Sequence, residues 1–367
     1  MVVDSFDLEE RNRRWFKIRH AIERSGLDGL LVISDGHLER RGSIRYVTNA
    51  VSGTKLMWHY VLFPLKGEPI AINVRGGWLE DRRTLSFRGG WVPESEPYGP
   101  AIADVIRELS IEKGNIGIEG DYMPVPAYQR MVKELPEATF IPSSIIHELR
   151  RVKSPAEIEL VERGVETMDK ACEACLEYAR PGITWNDITS EVCTTLYHWG
   201  TEDIGGYPLS RSTSIIQPGD SYNLYPEAQT SGGYWIQLGR VISFGEPSKE
   251  LREAWELNMK AQRRGAEKLR PGQTGADVMR AINDTLKGSK YTGASRGSGH
   301  GIGLDVLEKP FISLDDETVF ESGMVVSIHP VFYPPVDAFE ANADMFVVTE
   351  DKPRKLSKIT PEIKVIL

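Results

Sequence analysis

A chain of 367 residues exceeds what a single hydrophobic core normally serves, so two domains are expected. With 40% apolar and 26% charged residues it has the composition of an ordinary globular protein, and no stretch approaches the roughly 20 consecutive apolar residues that cross a bilayer. Its formal net charge of -9 argues against broad binding to a nucleic-acid backbone, which requires clustered Lys and Arg.

In chain order, the opening residues are charged and lack the apolar core of a secretory signal. RWFKIRHAIERSGL (14–27) reads as an amphipathic helix ended by glycine, and DGLLVIS (28–34) as a buried strand. YVLFPLKGEPIAINV (60–74) reads as a hairpin turning at Lys66-Gly67. ADVIRELSIEKGNIGIEG (103–120) then repeats helix and strand. Residues 1–148 are therefore expected to form a small α/β domain, and 149–367 a second domain. The boundary is marked by Ser154-Pro155-Ala156-Glu157, where a capping serine, a proline suited to the first helical position and a glutamate completing a capping box start a long helix.

Within the second domain, ARPGITWNDI (179–188) is echoed by LRPGQTGADV (269–278). Each follows a long helix, each ends it with Pro-Gly, and each offers a threonine cap with an aspartate three residues on. This predicts a duplicated unit, whose two halves would enclose a ligand cleft. Three cysteines make no disulfide framework; Cys172 and Cys175 form a C-x-x-C inside a helical pattern, where core packing is favoured over redox chemistry. A cytoplasmic protein is expected.

RRVKSPAEIELVERG (150–164), GGYWIQLGRVISFG (232–245), SGHGIGLDVLEKP (298–310), ESGMVVSIHP (321–330) and ADMFVVTED (343–351) resemble, in order and spacing, the segments of the creatinase, aminopeptidase P and prolidase family. The resemblance implies an α+β pita-bread domain with pseudo-twofold duplication, preceded by the smaller α/β domain, and a homodimer. It also implies five metal-binding side chains in the peptidase members: two aspartates, one histidine and two glutamates. Carried over one position at a time, the histidine is His300. The second aspartate falls at Gln237 and the first within NLYPE (223–227), where Asn223 is the preferred match and Glu227 the only acid nearby; the glutamates fall at His329 and Ala343. The family's second histidine falls at Leu307. Neutral amides and alanine do not supply the charge of a dinuclear site, so no metal and no other cofactor is expected.

Creatinase implies that this fold works without metal through a histidine, and it shares the N-x-(F/Y)-P turn found here as Asn223-Leu224-Tyr225-Pro226. His300, between glycines, and His329, before a proline at a strand end, are the candidate catalytic residues. An imidazole titrates near neutral pH and so serves as base or acid. Gln237, Asn223, Tyr225, Glu227, Trp235, Arg240, Glu340 and Asp344 are candidate substrate-binding residues. Arg240 offers a planar fork for a carboxylate, and Glu340 or Asp344 would restore negative charge. The remaining five histidines, among them His59 and His147, read as surface or hydrogen-bonded residues. The expected activity is metal-independent hydrolysis, or elimination, at a C–N bond of a small nitrogen-containing molecule. Two alternatives stay open: a mononuclear metalloenzyme using the two histidines with Glu227, and a non-catalytic binding protein.

Overall fold

The computed structural model describes residues 6–34, 41–51, 58–85, 97–119, 123–205, 212–293, 297–333 and 342–367. By internal contacts the chain divides into Met1–Arg150 and Arg151–Leu367.

In the first unit, apolar residues at helical spacing (Trp15, Ile18, Ile22) bury one face of α1 (Leu8–Arg24), whose first turn is capped by the Asp7 side chain accepting from the Glu10 N–H at 3.0 Å. The run GLLVIS has no polar alternation, and β1 (Gly29–Ser34) is buried throughout. After α2 (Gly42–Thr48), β2 (His59–Pro64) and β3 (Ile70–Ile72) pair antiparallel about the predicted Lys66-Gly67 turn, Gly67 taking a φ of 101° that favours glycine. There follow β4 (Arg82–Arg83), α3 (Tyr98–Glu108), β5 (Asn115–Glu119), α4 (Val125–Glu134), β6 (Thr139–Ser143) and α5 (Ile145–Arg151). The six strands form one sheet in the order β4-β3-β2-β1-β5-β6, with β1, β5 and β6 parallel. Leu31, Tyr60, Ile102, Ile106, Ile116 and Met131 lie in its core.

The second unit opens with α6 (Pro155–Tyr178), started by the Ser154/Glu157 capping box. The repeat noted in the sequence persists in atomic detail. Thr184 caps α7 (Trp185–His198) and Thr274 caps α9 (Gly275–Leu286), each in a reciprocal box with Asp187 or Asp277. Gly182 and Gly272 take φ of 92° and 86°, and Thr184 and Thr274 each bridge to a distant extended segment, at Ile215 and Val319. Between the repeats lie β7 (Asp203–Ile204), β8 (Ser221–Leu224), β9 (Glu227–Gln229), β10 (Trp235–Gln237), β11 (Arg240–Phe244) and α8 (Lys249–Ala266). After them come β12 (Thr292–Gly293), β13 (Gly299–Gly301), β14 (Glu308–Phe311), β15 (Val325–Ile328), β16 (Phe332–Tyr333), β17 (Asp344–Val347), β18 (Arg354–Lys355) and β19 (Lys364–Ile366).

The sheet that carries His300 has the order β14-β13-β15-β17-β18. One face carries Val326, Ile328 and Phe346 into a core shared with Ala261, Val278, Met279 and Ile282 of α8 and α9. No described helix is long and apolar enough to cross a membrane.

Candidate functional site

His300 is the middle residue of β13, a strand squeezed between two neighbours. A Cβ on Gly299 would lie 2.3 Å from the Ser327 carbonyl oxygen, and one on Gly301 would lie 2.5 Å from that of Lys309. Glycine on both sides of the histidine is therefore a steric requirement of the sheet. The imidazole is buried, and its Nδ1 is 2.9 Å from the carbonyl oxygen of Gly301. A carbonyl only accepts, so Nδ1 carries the hydrogen, and in the neutral form of the ring Nε2 is the basic nitrogen.

In the antiparallel register His300 stands opposite Ser327, and Ser327 opposite Met345. Residues directly opposite share a face, so His300, Ser327 and Met345 lie on the face turned away from Ile328 and Phe346. His329 follows β15 and is half-buried. Its ring centroid lies 5.1 Å from that of His300 at 66°, and 6.1 Å from that of Tyr225 at 89°.

A polar chain extends the same face. Ser327 Oγ donates to Gln237 Oε1, and Gln237 Nε2 donates to Glu227 Oε1 at 2.6 Å. Gln237 and Glu227 are cross-strand partners in β10 and β9, and the Gln237 N–H points to the Met345 sulfur at 3.3 Å. Trp235 is buried two residues before Gln237, its backbone N–H donating to the Gly303 carbonyl at 2.7 Å. A Cβ placed on Gly205 would lie 3.2 Å from the Trp235 ring and 3.2 Å from the Glu227 Cβ, so both side chains border Gly205. Asn223 is half-buried in β8, opposite Val241.

The structure thus draws His300, His329, Tyr225, Gln237 and Glu227 together, with Trp235 in the same strand as Gln237. Two expected substrate contacts are corrected. Asp344 pairs with Ile328, so the pleat points it to the α8 side, away from the histidines. The family's carboxylate position is Ala343, one residue earlier, and in a strand one residue reverses the face. Arg240 follows Asp344: it is 1% exposed and binds Asp344 Oδ1 at 2.9 Å, Asn342 Oδ1 at 2.9 Å and the Ile359 carbonyl at 2.9 Å. Its guanidinium ties three segments together and is not presented to a ligand. Glu340 lies outside the described residues.

Three contributors were not singled out in the sequence. Ser327 was detectable in principle, because V-V-S-I-H places it two residues before His329. Asn258 and Gln262 of α8 clamp the backbone on either side of His329: Asn258 Nδ2 donates to the Pro330 carbonyl at 2.7 Å and Gln262 Nε2 to that of Ile328 at 2.9 Å. Nothing local in the α8 sequence signals that role. His59 and His147 are engaged elsewhere, with the Asn73 carbonyl (2.8 Å) and Glu119 (3.0 Å), and Leu307 is exposed.

The donor set at the positions carried over from the family does not fit a dinuclear metal centre. Asn223, Gln237, His300, His329 and Ala343 provide two imidazoles and no carboxylate. Glu227 adds one carboxylate, engaged with Gln237. Among the described residues, no three His, Cys, Asp or Glu side chains are grouped closely enough to hold an ion.

Two units, the second built from a repeated helix–helix–strand element with polar side chains on one sheet face, define a protein of pita-bread architecture. Comparison with known proteins agrees. A model of metallopeptidase family M24 matches residues 201–350, and one of the creatinase/prolidase N-terminal domain matches residues 14–152. A creatinase from Bacillus sp. (strain B-0618) is 25% identical over 402 residues, covering 100% of this chain and 95% of its own. An Xaa-Pro dipeptidase from Lactobacillus helveticus is 28% identical over 307 residues, covering 78% and 83%. The solved structure of an Xaa-Pro dipeptidase from Bacillus anthracis superposes with a TM-score of 0.77 at 25% identity, covering 97% of this chain and 100% of that one. The chain belongs to the creatinase, aminopeptidase P and prolidase family.

Proposed function

We propose that this protein hydrolyses a C–N bond of a small nitrogen-containing molecule without a metal ion, using His300 and His329 to move protons. The observation that carries the reading is the pairing of the two imidazoles at 5.1 Å, with His300 fixed by Gly301 in the tautomer that leaves Nε2 basic. In the proposed reaction His300 takes a proton from water as its oxygen bonds to the substrate carbon. Protonated His329 gives a proton to the nitrogen as the C–N bond breaks. Each such transfer is worth of order 10²–10⁴ in rate. The Glu227–Gln237–Ser327 chain fixes the orientation of the Gln237 amide, and with Asn223 it is proposed to bind the polar groups of the substrate. Tyr225 and Trp235 are proposed to line the pocket. A cytoplasmic homodimer belongs to the same proposal.

A second reading is favoured by the M24 match and the dipeptidase relatives: a mononuclear metal site at His300 and His329. Metal analysis of purified protein, together with NMR titration of the imidazoles in the same sample, separates the two. Sub-stoichiometric metal with both rings titrating supports the acid–base pair, and release of amine or ammonia from amides, amidines and ureas is then screened. One tightly bound transition metal per chain, with neither ring titrating, sinks it.

A further inference from the structure

On the sheet face opposite His300, a groove of about 660 Å³ is bounded by α8 with the turn that follows it, and by β17, β18 and the loop between them. Its charged lining is lopsided. Arg263 and Arg270 stand on the helix side, with Lys352 and Lys355 on the hairpin side. Two carboxylates also line it, but each is already neutralised. Glu267 lies 3.3 Å from Arg264, and Asp344 lies 2.9 Å from Arg240 and 3.3 Å from Lys355. Among the described residues, Arg263, Arg270 and Lys352 make no ion pair and no side-chain hydrogen bond.

Composition does not explain this concentration of cations, because the chain carries a net charge of -9. The helix dipole does so only in part. A negative C-terminal end of α8 favours cations in its last turn, such as Arg263 and Arg264, but it does not account for lysines on the facing hairpin. The rest of the wall is apolar, with Met259, Phe346, Pro353 and Pro361. A second hollow of about 440 Å³ shares Glu267 and Arg270 and adds Lys268, extending the basic surface.

We propose that this groove is a binding site for a small organic anion that joins a multiply charged group, phosphate or dicarboxylate, to an apolar body. The unpaired cations from both walls meet the charge, the guanidinium groups by forked hydrogen bonds, and the apolar wall takes the body. The site is separate from the histidine face and does not depend on the proposed reaction.

Calorimetric titration of the full chain with phenyl phosphate, at low salt, tests it. The expected result is saturable binding that weakens as salt rises, as an exposed charge contact must. It should also weaken about tenfold or more in an Arg263→Gln/Lys352→Gln double variant. Both residues are exposed, so the variant is expected to fold, and circular dichroism checks that it does. Lys260→Gln, an exposed cation of α8 outside the lining, should bind as the natural protein does. Absence of saturable binding overturns the proposal, as does binding that the double variant leaves intact. Inorganic phosphate binding as tightly as phenyl phosphate overturns the assignment of an organic ligand.

Discussion

The side-chain amide of Gln262 lies 2.9 Å from the carbonyl oxygen of Ile328, the residue before His329. The same side chain accepts from Asn342 Nδ2 at 2.7 Å, and Asn342 in turn accepts from Arg240 at 2.9 Å. A buried network on one face of the sheet therefore fixes the strand end that delivers a histidine to the other. Gln262→Leu leaves the Ile328 carbonyl and the Asn342 amide without their partner, at about 1–3 kcal/mol per buried group. The expected result is a lower urea midpoint together with a displaced His329 ring resonance, while the His147 resonance stays in place. An unchanged spectrum would mean that α8 does not position His329.

If the two imidazoles work as acid and base, His300→Gln and His329→Gln should each lower turnover of a C–N substrate by about 10²–10⁴. The double variant should fall little further, because groups acting as a unit are not additive. Full activity in either single variant would remove that residue from the chemistry. Tyr225→Phe keeps the ring against His329 and should alter kcat much less.

What could be read in the sequence follows from how local each signal is. Capping boxes at Ser154, Thr184 and Thr274 depend on residues three apart, and all three form. The Gly-His-Gly triplet announced a close approach, and the sheet provides it on both sides of β13. Asp344 misled because an acid beside a vacant carboxylate position looks interchangeable with it. A one-residue offset is invisible in composition yet reverses the face. Arg240 misled for a related reason: its partners Asn342 and Ser357 lie 102 and 117 residues away, and nothing local announces them.

Lys153 Nζ and Glu308 Oε2 are 2.8 Å apart with side chains 2% and 4% exposed. Glu308 also accepts from the Asp305 N–H at 3.2 Å, so the pair ties the start of the second unit to the turn before β14. Removing one partner strands a buried charge. Glu308→Ala is expected to cost about 3–5 kcal/mol in denaturant unfolding, and Glu308→Leu combined with Lys153→Met to recover most of it. Equal losses in single and double variants would show that something other than the stranded charge is responsible.

Cys172 and Cys175 face the core side of α6, and burial is the main cause of their unreactive thiols. The Cys175 thiol is pushed up to about 12, and that of Cys172 is raised further, with Cys175 itself adding to the effect. A thiol reagent attacks the thiolate, so at pH 8 the native protein should label at no more than one site, Cys193, which is half-buried. Denatured protein should label at all three cysteines. Rapid native labelling at Cys172 or Cys175 would contradict the core assignment.

Asp316 accepts hydrogen bonds from the Phe311 N–H at 2.9 Å and the Thr318 N–H at 2.8 Å, holding the chain that follows β14. Burial acts most strongly on its carboxyl and pushes the pKa up. The bonds from Phe311 and Thr318, with the charge of Lys309, outweigh it and hold the group below the ordinary aspartate range. A carboxyl depressed in the folded state stabilises it above the unfolded value near pH 4, and that contribution is lost as pH falls through the folded value. Asp316→Asn should therefore be less stable than the natural protein by about 1–3 kcal/mol at pH 7. The difference should shrink steadily below pH 4 in urea titrations run at successive pH values. A gap that stayed constant down to pH 2 would show that shape, rather than charge, makes Asp316 stabilising.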